Sequence, residues 1–216
     1  MSGIRQYKII FLGDQGVGKT SLIARFMYDS FDLNYQPTVG IDFLSKSVAV
    51  DGRAMKLHLW DTAGQERFKA LIPSYLRDTS AAIVLYDITR RPSFDNVESW
   101  IDQVRNERGE NALIYIVGAK TDLSSQRAVT TNEGEEFARK LQCQFYEVSS
   151  RTGEGVDELF RVVSASLVRK TTTESVKSRT EPPTSATSHL QPADPVDVSA
   201  NQSTKAGKSG KNCGCM

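Results

Sequence analysis

The stretch YKIIFLGDQGVGKTS, Tyr7 to Ser21, constrains the fold more than any other part of the chain. A short apolar run, Tyr7 to Leu12, stops on a glycine and passes into G-x-x-x-x-G-K-[ST], Gly13 to Thr20, with helix-compatible residues following. Glycines let consecutive backbone N–H groups wrap an anion, and a helix that starts there turns its positive end toward it. Each position has a use in such a cradle. Gly13, Asp14, Gln15, Gly16, Val17 and Gly18 supply backbone, Lys19 reaches the outer phosphates, Thr20 offers a hydroxyl to Mg²⁺, and Ser21 closes the loop. Strand, glycine loop and helix in that order demand an α/β architecture with a parallel sheet.

The rest of the chain supplies one. Ala81–Tyr86, Ala112–Val117 and Gln144–Val148 are further short apolar runs of the kind that a sheet buries on both faces. Glu98 to Arg108 follows the helical period, and Val156, Leu159, Phe160, Val163 and Leu167 share one helical face. Thr130 with Glu133 has the spacing of a capping box. Ile41 to Trp60 differs: two strand-like runs meet at Asp51-Gly52, a tight-hairpin signal that adds an antiparallel edge. The expected fold is therefore a six-stranded, mostly parallel sheet with one antiparallel edge strand and helices on both faces. From Thr171 to Asn212 prolines, serines and threonines replace large apolar residues, and such a segment cannot offset the entropy of ordering it. The expected division is a folded domain over 1–170, a disordered tether over 171–212, and a terminal CGCM over 213–216.

Charge narrows the partners. With 27 Lys and Arg against 26 Asp and Glu there is no basic footprint for a nucleic-acid backbone, so no nucleic-acid partner is expected. No apolar run reaches the ~18 residues of a membrane span, and the N-terminal apolar segment is too short for a signal peptide, which reads as a cytosolic chain. Of three cysteines, Cys143 lies in the folded region while Cys213 and Cys215 sit in the last four residues, where no disulfide staple is needed.

Two further motifs follow apolar runs, where a doubly wound sheet forms its ligand site. In LWDTAGQE, Asp61 can hold Mg²⁺ through water, Gly64 leaves a backbone N–H free to approach a terminal phosphate, and Gln65 can orient a water. Alone, such an aspartate is more often a helix cap or turn former; beside the Lys19 loop the metal role becomes the stronger reading. In IVGAKTD, Lys120 and Asp122 stand two apart at the end of a buried run. Glycine loop, DTAGQ and KxD in this order resemble the Ras-like small GTPases. YQPTVGID, LWDTAGQERF and the cysteine-bearing terminus resemble the Rab branch, and MYDSFD, GIDFLSKS, LIPSY and RDTSAAIVLYDIT its Golgi-associated subfamily numbered six.

The resemblance implies a P-loop NTPase of the Ras-like G-domain kind that binds GTP or GDP with Mg²⁺. Thr38 would coordinate Mg²⁺ with Thr20 and Asp61 and sense the γ-phosphate, which Gly64 also meets, and Gln65 would be catalytic. Asp122 would accept from the guanine edge and the Lys120 stem would cover the base. Ser149, Ser150 and Arg151 would replace the usual S-A-K, with the Ser150 N–H on the guanine carbonyl. Ile41, Phe43, Trp60 and Tyr75 would form the effector face; for the aromatics a core role is the competing reading, and the alternation of Met55, Leu57 and Leu59 against Lys56, His58 and Trp60 favours partial exposure. Cys213 and Cys215 would carry prenyl lipids, either two chains on the pair or a single chain on Cys213 read as C-a-a-X. The implied partners are a guanine-nucleotide exchange factor, a GTPase-activating protein, a GDP dissociation inhibitor and prenylation escort protein, and coiled-coil tethers or motor-linked effectors, met by a monomer on the cytosolic face of Golgi membranes with a soluble cytosolic pool.

One departure stands out. Where the family pattern is N-K-x-D, position 119 is alanine, so the asparagine that links base to phosphate loop is missing. At ~0.5–3 kcal/mol for lost or unsatisfied hydrogen bonds, guanine nucleotides are expected to bind roughly 10 to 100 times more weakly, chiefly through faster release. An alternative is thus a Rab-like non-catalytic interaction module with weakened nucleotide binding. A P-loop ATPase or small-molecule kinase is a further rival, though it leaves the KxD pair without a purpose.

Overall fold

The computed structural model describes residues 4–32, 38, 40–50, 52–63, 72–109 and 112–180, the last nine by backbone only. Six strands form one sheet: β1 (Arg5–Leu12), β2 (Ile41–Val50), β3 (Arg53–Thr62), β4 (Ala81–Asp87), β5 (Leu113–Ala119) and β6 (Gln144–Val148). Their spatial order is β2-β3-β1-β4-β5-β6, with β2 antiparallel to β3 and every other pair parallel. Gly52, at φ 72°, makes the hairpin turn in the left-handed region that glycine enters without a Cβ penalty. Helices α1 (Lys19–Tyr28), α2 (Ile72–Leu76), α3 (Arg91–Asp95), α4 (Val97–Arg108), α5 (Thr131–Lys140) and α6 (Val156–Thr180) complete the domain.

Period-two alternation in β1 sends Ile9 and Phe11 to one face and Ile10 and Leu12 to the other, and all four are fully buried. On the first face they pack with Leu22 and Ile23 of α1 and Leu159, Phe160 and Val163 of α6. On the second they meet Trp100, Ile101 and Val104 of α4 and Ala138 and Leu141 at α5. Each such aliphatic side chain contributes about 1.5–3 kcal/mol by leaving water, enough in sum to fix the sheet between its two helical layers. The strand order reverses at β1, whose neighbours are β3 and β4, and the Gly13–Thr20 loop leaves from there.

Two expectations are amended. Helix α6 runs through Thr180, ten residues into the segment expected to be a tether. Its continuation is anchored at Thr171, whose Oγ1 lies 3.1 Å from the Tyr7 hydroxyl and also donates to the Leu167 carbonyl. Thr130 does cap α5, accepting from the Glu133 N–H at 3.2 Å, but the Glu133 carboxylate pairs with Arg91.

Candidate nucleotide-binding site

The carboxyl ends of β1, β3, β4 and β5 bring the sequence motifs to one edge of the sheet. Gly13 has φ 131°, and a Cβ built there would lie 2.3 Å from the Leu85 carbonyl oxygen, so only glycine lets the loop pass β4. Lys19 opens α1 and is 5% exposed; its Nζ donates to the carbonyls of Gly13 at 2.7 Å and Asp14 at 2.9 Å. Burial pulls its pKa down to about 8, against the upward pull of Asp61 and Asp14. The first turn of α1 has no side-chain cap, leaving its N–H groups to an anion.

Around Lys19 three oxygens from separate segments converge. Thr20 Oγ1 lies 2.5 Å from Asp61 Oδ2 and 2.7 Å from Thr38 Oγ1, and Thr38 Oγ1 is 3.4 Å from the same carboxylate oxygen. Asp61 is buried at the end of β3, and its Oδ1 has no hydrogen-bond partner. Burial raises its pKa despite the Thr20 hydrogen bond and the Lys19 charge, so the carboxylate lacks compensation that a cation would supply. Two hydroxyls and one carboxylate form a hard-oxygen donor set of the kind Mg²⁺ takes alongside phosphate and water. The residues present therefore fit both a phosphate chain and its metal.

At the KxD motif, Asp122 Oδ1 accepts from the buried Ser149 hydroxyl at 2.6 Å, and Arg151 stands 3.8 Å from Oδ2. Ser150 is buried beside them. Lys120 adopts φ 72°, which turns its side chain back so that Nζ reaches the Gly16 carbonyl at 2.8 Å and Asp87 Oδ2 at 2.7 Å. Ala119 is 2% exposed, and its carbonyl accepts from the Ile88 N–H.

On the outer face of β2 and β3, Phe43 is 49% exposed, with its ring centroid 5.4 Å from Trp60, which in turn lies 5.6 Å from Tyr75. Trp60 and Tyr75 are half-buried, and Lys8 Nζ sits 4.4 Å over the Trp60 ring. Ile41 begins β2. The three aromatics form one contiguous partly exposed patch. Gly64, Gln65, Cys213 and Cys215 lie outside the described residues.

Several contributors were not among the sequence candidates for these roles. Asp14 accepts from Trp100 Nε1 at 3.1 Å and Asn96 Nδ2 at 2.7 Å, and Arg90 donates to the Gln15 carbonyl, so α3 and α4 hold the outer loop. Arg25 of α1 binds the carbonyls of Ser150 and Arg151. Asp87 closes an apolar run and could have been found by the rule that singled out Asp61; Arg25 has no local signal.

Glycine loop, oxygen cluster and KxD pair on one edge of this sheet are the arrangement of a P-loop nucleotide-binding G domain. A family model described as Ras family matches residues 8–169, about three quarters of the sequence, and the chain belongs to the Ras family. It is a small GTPase of Ras-like fold, a class of guanine-nucleotide switches that bind GTP, GDP and Mg²⁺ and meet exchange factors and activating proteins.

Proposed function

We propose that this small GTPase is a Rab-type switch, closest to the Golgi-associated subfamily numbered six, that recruits vesicle-tethering or motor-linked effectors while GTP-bound and hydrolyses GTP slowly unaided. The observation that carries the reading is the convergence of Thr20, Thr38 and Asp61 beside the buried Lys19, on the same sheet edge as Lys120 and Asp122. Thr38 belongs to a segment remote from the phosphate loop, so its contact with Thr20 supports a switch that reports the terminal phosphate. Phe43, Trp60 and Tyr75 then offer a partly exposed aromatic face to effectors.

Hydrolysis proceeds by in-line attack of a water that Gln65 orients. Lys19 and the loop N–H groups take the charge that develops on the phosphate oxygens. Thr20, Thr38 and Asp61 would hold Mg²⁺, which would supply positive charge to the phosphate oxygens. Lipids on Cys213 and Cys215 would hold the protein on the cytosolic face of Golgi membranes; two chains anchor stably where one binds marginally. A GDP dissociation inhibitor and an escort protein for prenylation follow from that anchor.

The test is chromatography of the nucleotide released from freshly purified protein. Guanine nucleotide near one per chain is expected. Adenine nucleotide would replace this reading with a P-loop ATPase or kinase, and none at all with a non-catalytic interaction module. For the anchor, Cys213→Ser with Cys215→Ser should leave the protein cytosolic with normal nucleotide binding; persistent membrane association would refute it.

A further inference from the structure

The alanine at position 119 removes the side-chain amide that would tie the base-reading strand to the phosphate loop. The structure shows another connection between the same parts. Lys120 Nζ donates at once to the carbonyl of Gly16, in the phosphate loop, and to Asp87 Oδ2, at the end of β4. Position 87 faces position 119 in the β4–β5 register, so the carboxylate comes from the strand beside the missing amide.

Asp87 is built for a fixed position. It is 2% exposed, its Oδ1 is taken by the Thr89 N–H at 2.9 Å and the Thr89 hydroxyl at 2.7 Å, and its backbone N–H donates to Ser93 Oγ. Oδ2 is thereby left to point at Lys120, whose left-handed backbone brings the ammonium back over the strand ends. Among the described residues the charged group paired with this carboxylate is Lys120, and burial is outweighed by the hydrogen bonds of Lys120 and Thr89, so Asp87 stays ionised well below neutral pH. The ammonium end of the side chain is thus held by both partners.

We propose that Asp87 is a positioning residue for guanine-nucleotide retention, holding Lys120 on Gly16 and so replacing the tie that a side-chain amide at position 119 would make. This rests on the guanine-nucleotide reading above. It also revises the expectation from sequence: the alanine is compensated, and release is not accelerated in proportion to the missing bonds.

The experiment is a set of four proteins, wild type, Asp87→Asn, Ala119→Asn and the double variant, with dissociation of a fluorescent GDP analogue and thermal midpoint measured on each. Loss of a charge-assisted bond predicts release about tenfold faster or more in Asp87→Asn. If the two positions share one task, their effects are not additive. Ala119→Asn then changes release by less than about threefold in the native background yet restores slow release in the Asp87→Asn background, which a loss of fold stability would not do. Release from Asp87→Asn equal to wild type overturns the proposal. So does a tenfold slowing by Ala119→Asn alone, a result that needs no Asp87 variant to fold. Wild type that retains no guanine nucleotide overturns the parent reading and this one together, whereas guanine nucleotide held equally by all four overturns only the role of Asp87.

Discussion

Arg25 Nε, in the middle of α1, lies 2.7 Å from the carbonyl oxygen of Ser150, 125 positions along the chain. The same guanidinium donates through Nη2 to the Arg151 carbonyl at 2.7 Å and through Nη1 to Asp29. A planar fork thus grips this loop by the carbonyls of Ser150 and Arg151, on the side away from their N–H groups. Arg25→Ala should speed release of a fluorescent GDP analogue by about tenfold, on the scale of one charge-assisted hydrogen bond. Arg25→Lys should rescue little of it, because a single ammonium cannot reproduce the fork. A lysine variant indistinguishable from wild type would show that only the positive charge matters.

Lys19 gives a pH signature as well as a mutational one. Lys19→Ala should abolish tight binding of a fluorescent GTP analogue, and unchanged affinity would remove the phosphate-cradle assignment. In the protein alone the ammonium has a pKa of about 8, lowered by burial, and phosphate oxygens beside it would raise that value. Binding therefore takes up a proton, so affinity is nearly full at about pH 7 and below, and falls as pH rises through about 8. Between pH 7 and pH 9 the protonated fraction drops about tenfold, and the association constant of wild type should follow it. A flat profile over that range would place the lysine away from the phosphates.

The sheet was legible because its strands are short apolar runs with turn signals between them, and the Asp51-Gly52 hairpin declared its own antiparallel pairing. The phosphate loop was legible for a related reason: each glycine and the Lys19-Thr20 pair have a local chemical purpose. What escaped was contact between distant parts. Asp87 and Lys120 are 33 residues apart and Asp14 and Trp100 are 86 apart, and neither pair has any local pattern. Helix α6 runs past the expected boundary for the opposite reason. Composition past Lys170 is that of a tether, but helix α6 is already nucleated on the core, and propagation adds one hydrogen bond per residue without a new nucleus.

Gly134 offers a test of packing. In the interior of α5 alanine usually stabilises a helix by about 1 kcal/mol over glycine. Here a Cβ would meet the Phe145 ring at 2.5 Å and the Tyr86 hydroxyl oxygen at 2.8 Å, and Tyr86 is fully buried. Overpacking of this kind costs about 1–3 kcal/mol and outweighs the propensity gain. Gly134→Ala should lower the thermal midpoint measured by circular dichroism; a higher midpoint would mean that the Phe145 ring moves aside freely.

Gln65→Leu removes the amide assigned to orient the attacking water while leaving the groups that hold the nucleotide in place. Unassisted single-turnover hydrolysis should slow by about tenfold or more, with GTP affinity unchanged. Equal rates in the two proteins would assign water positioning to another group.

The chain has two tryptophans, one bonded to the phosphate loop and the other next to Asp61. Trp100 is buried, with its indole N–H on the phosphate-loop carboxylate of Asp14, and Trp60 lies half-exposed in the aromatic patch, one residue before Asp61. The molecule therefore carries two native optical reporters. Trp100 emits from a dry, fixed setting wired to the phosphate cradle, while Trp60 emits from a wetter setting beside Phe43, Tyr75 and the Lys8 ammonium. Unlabelled protein can then announce cradle filling and rearrangement of the aromatic patch as separate fluorescence changes, and Trp60→Phe leaves the first of them to be read by itself.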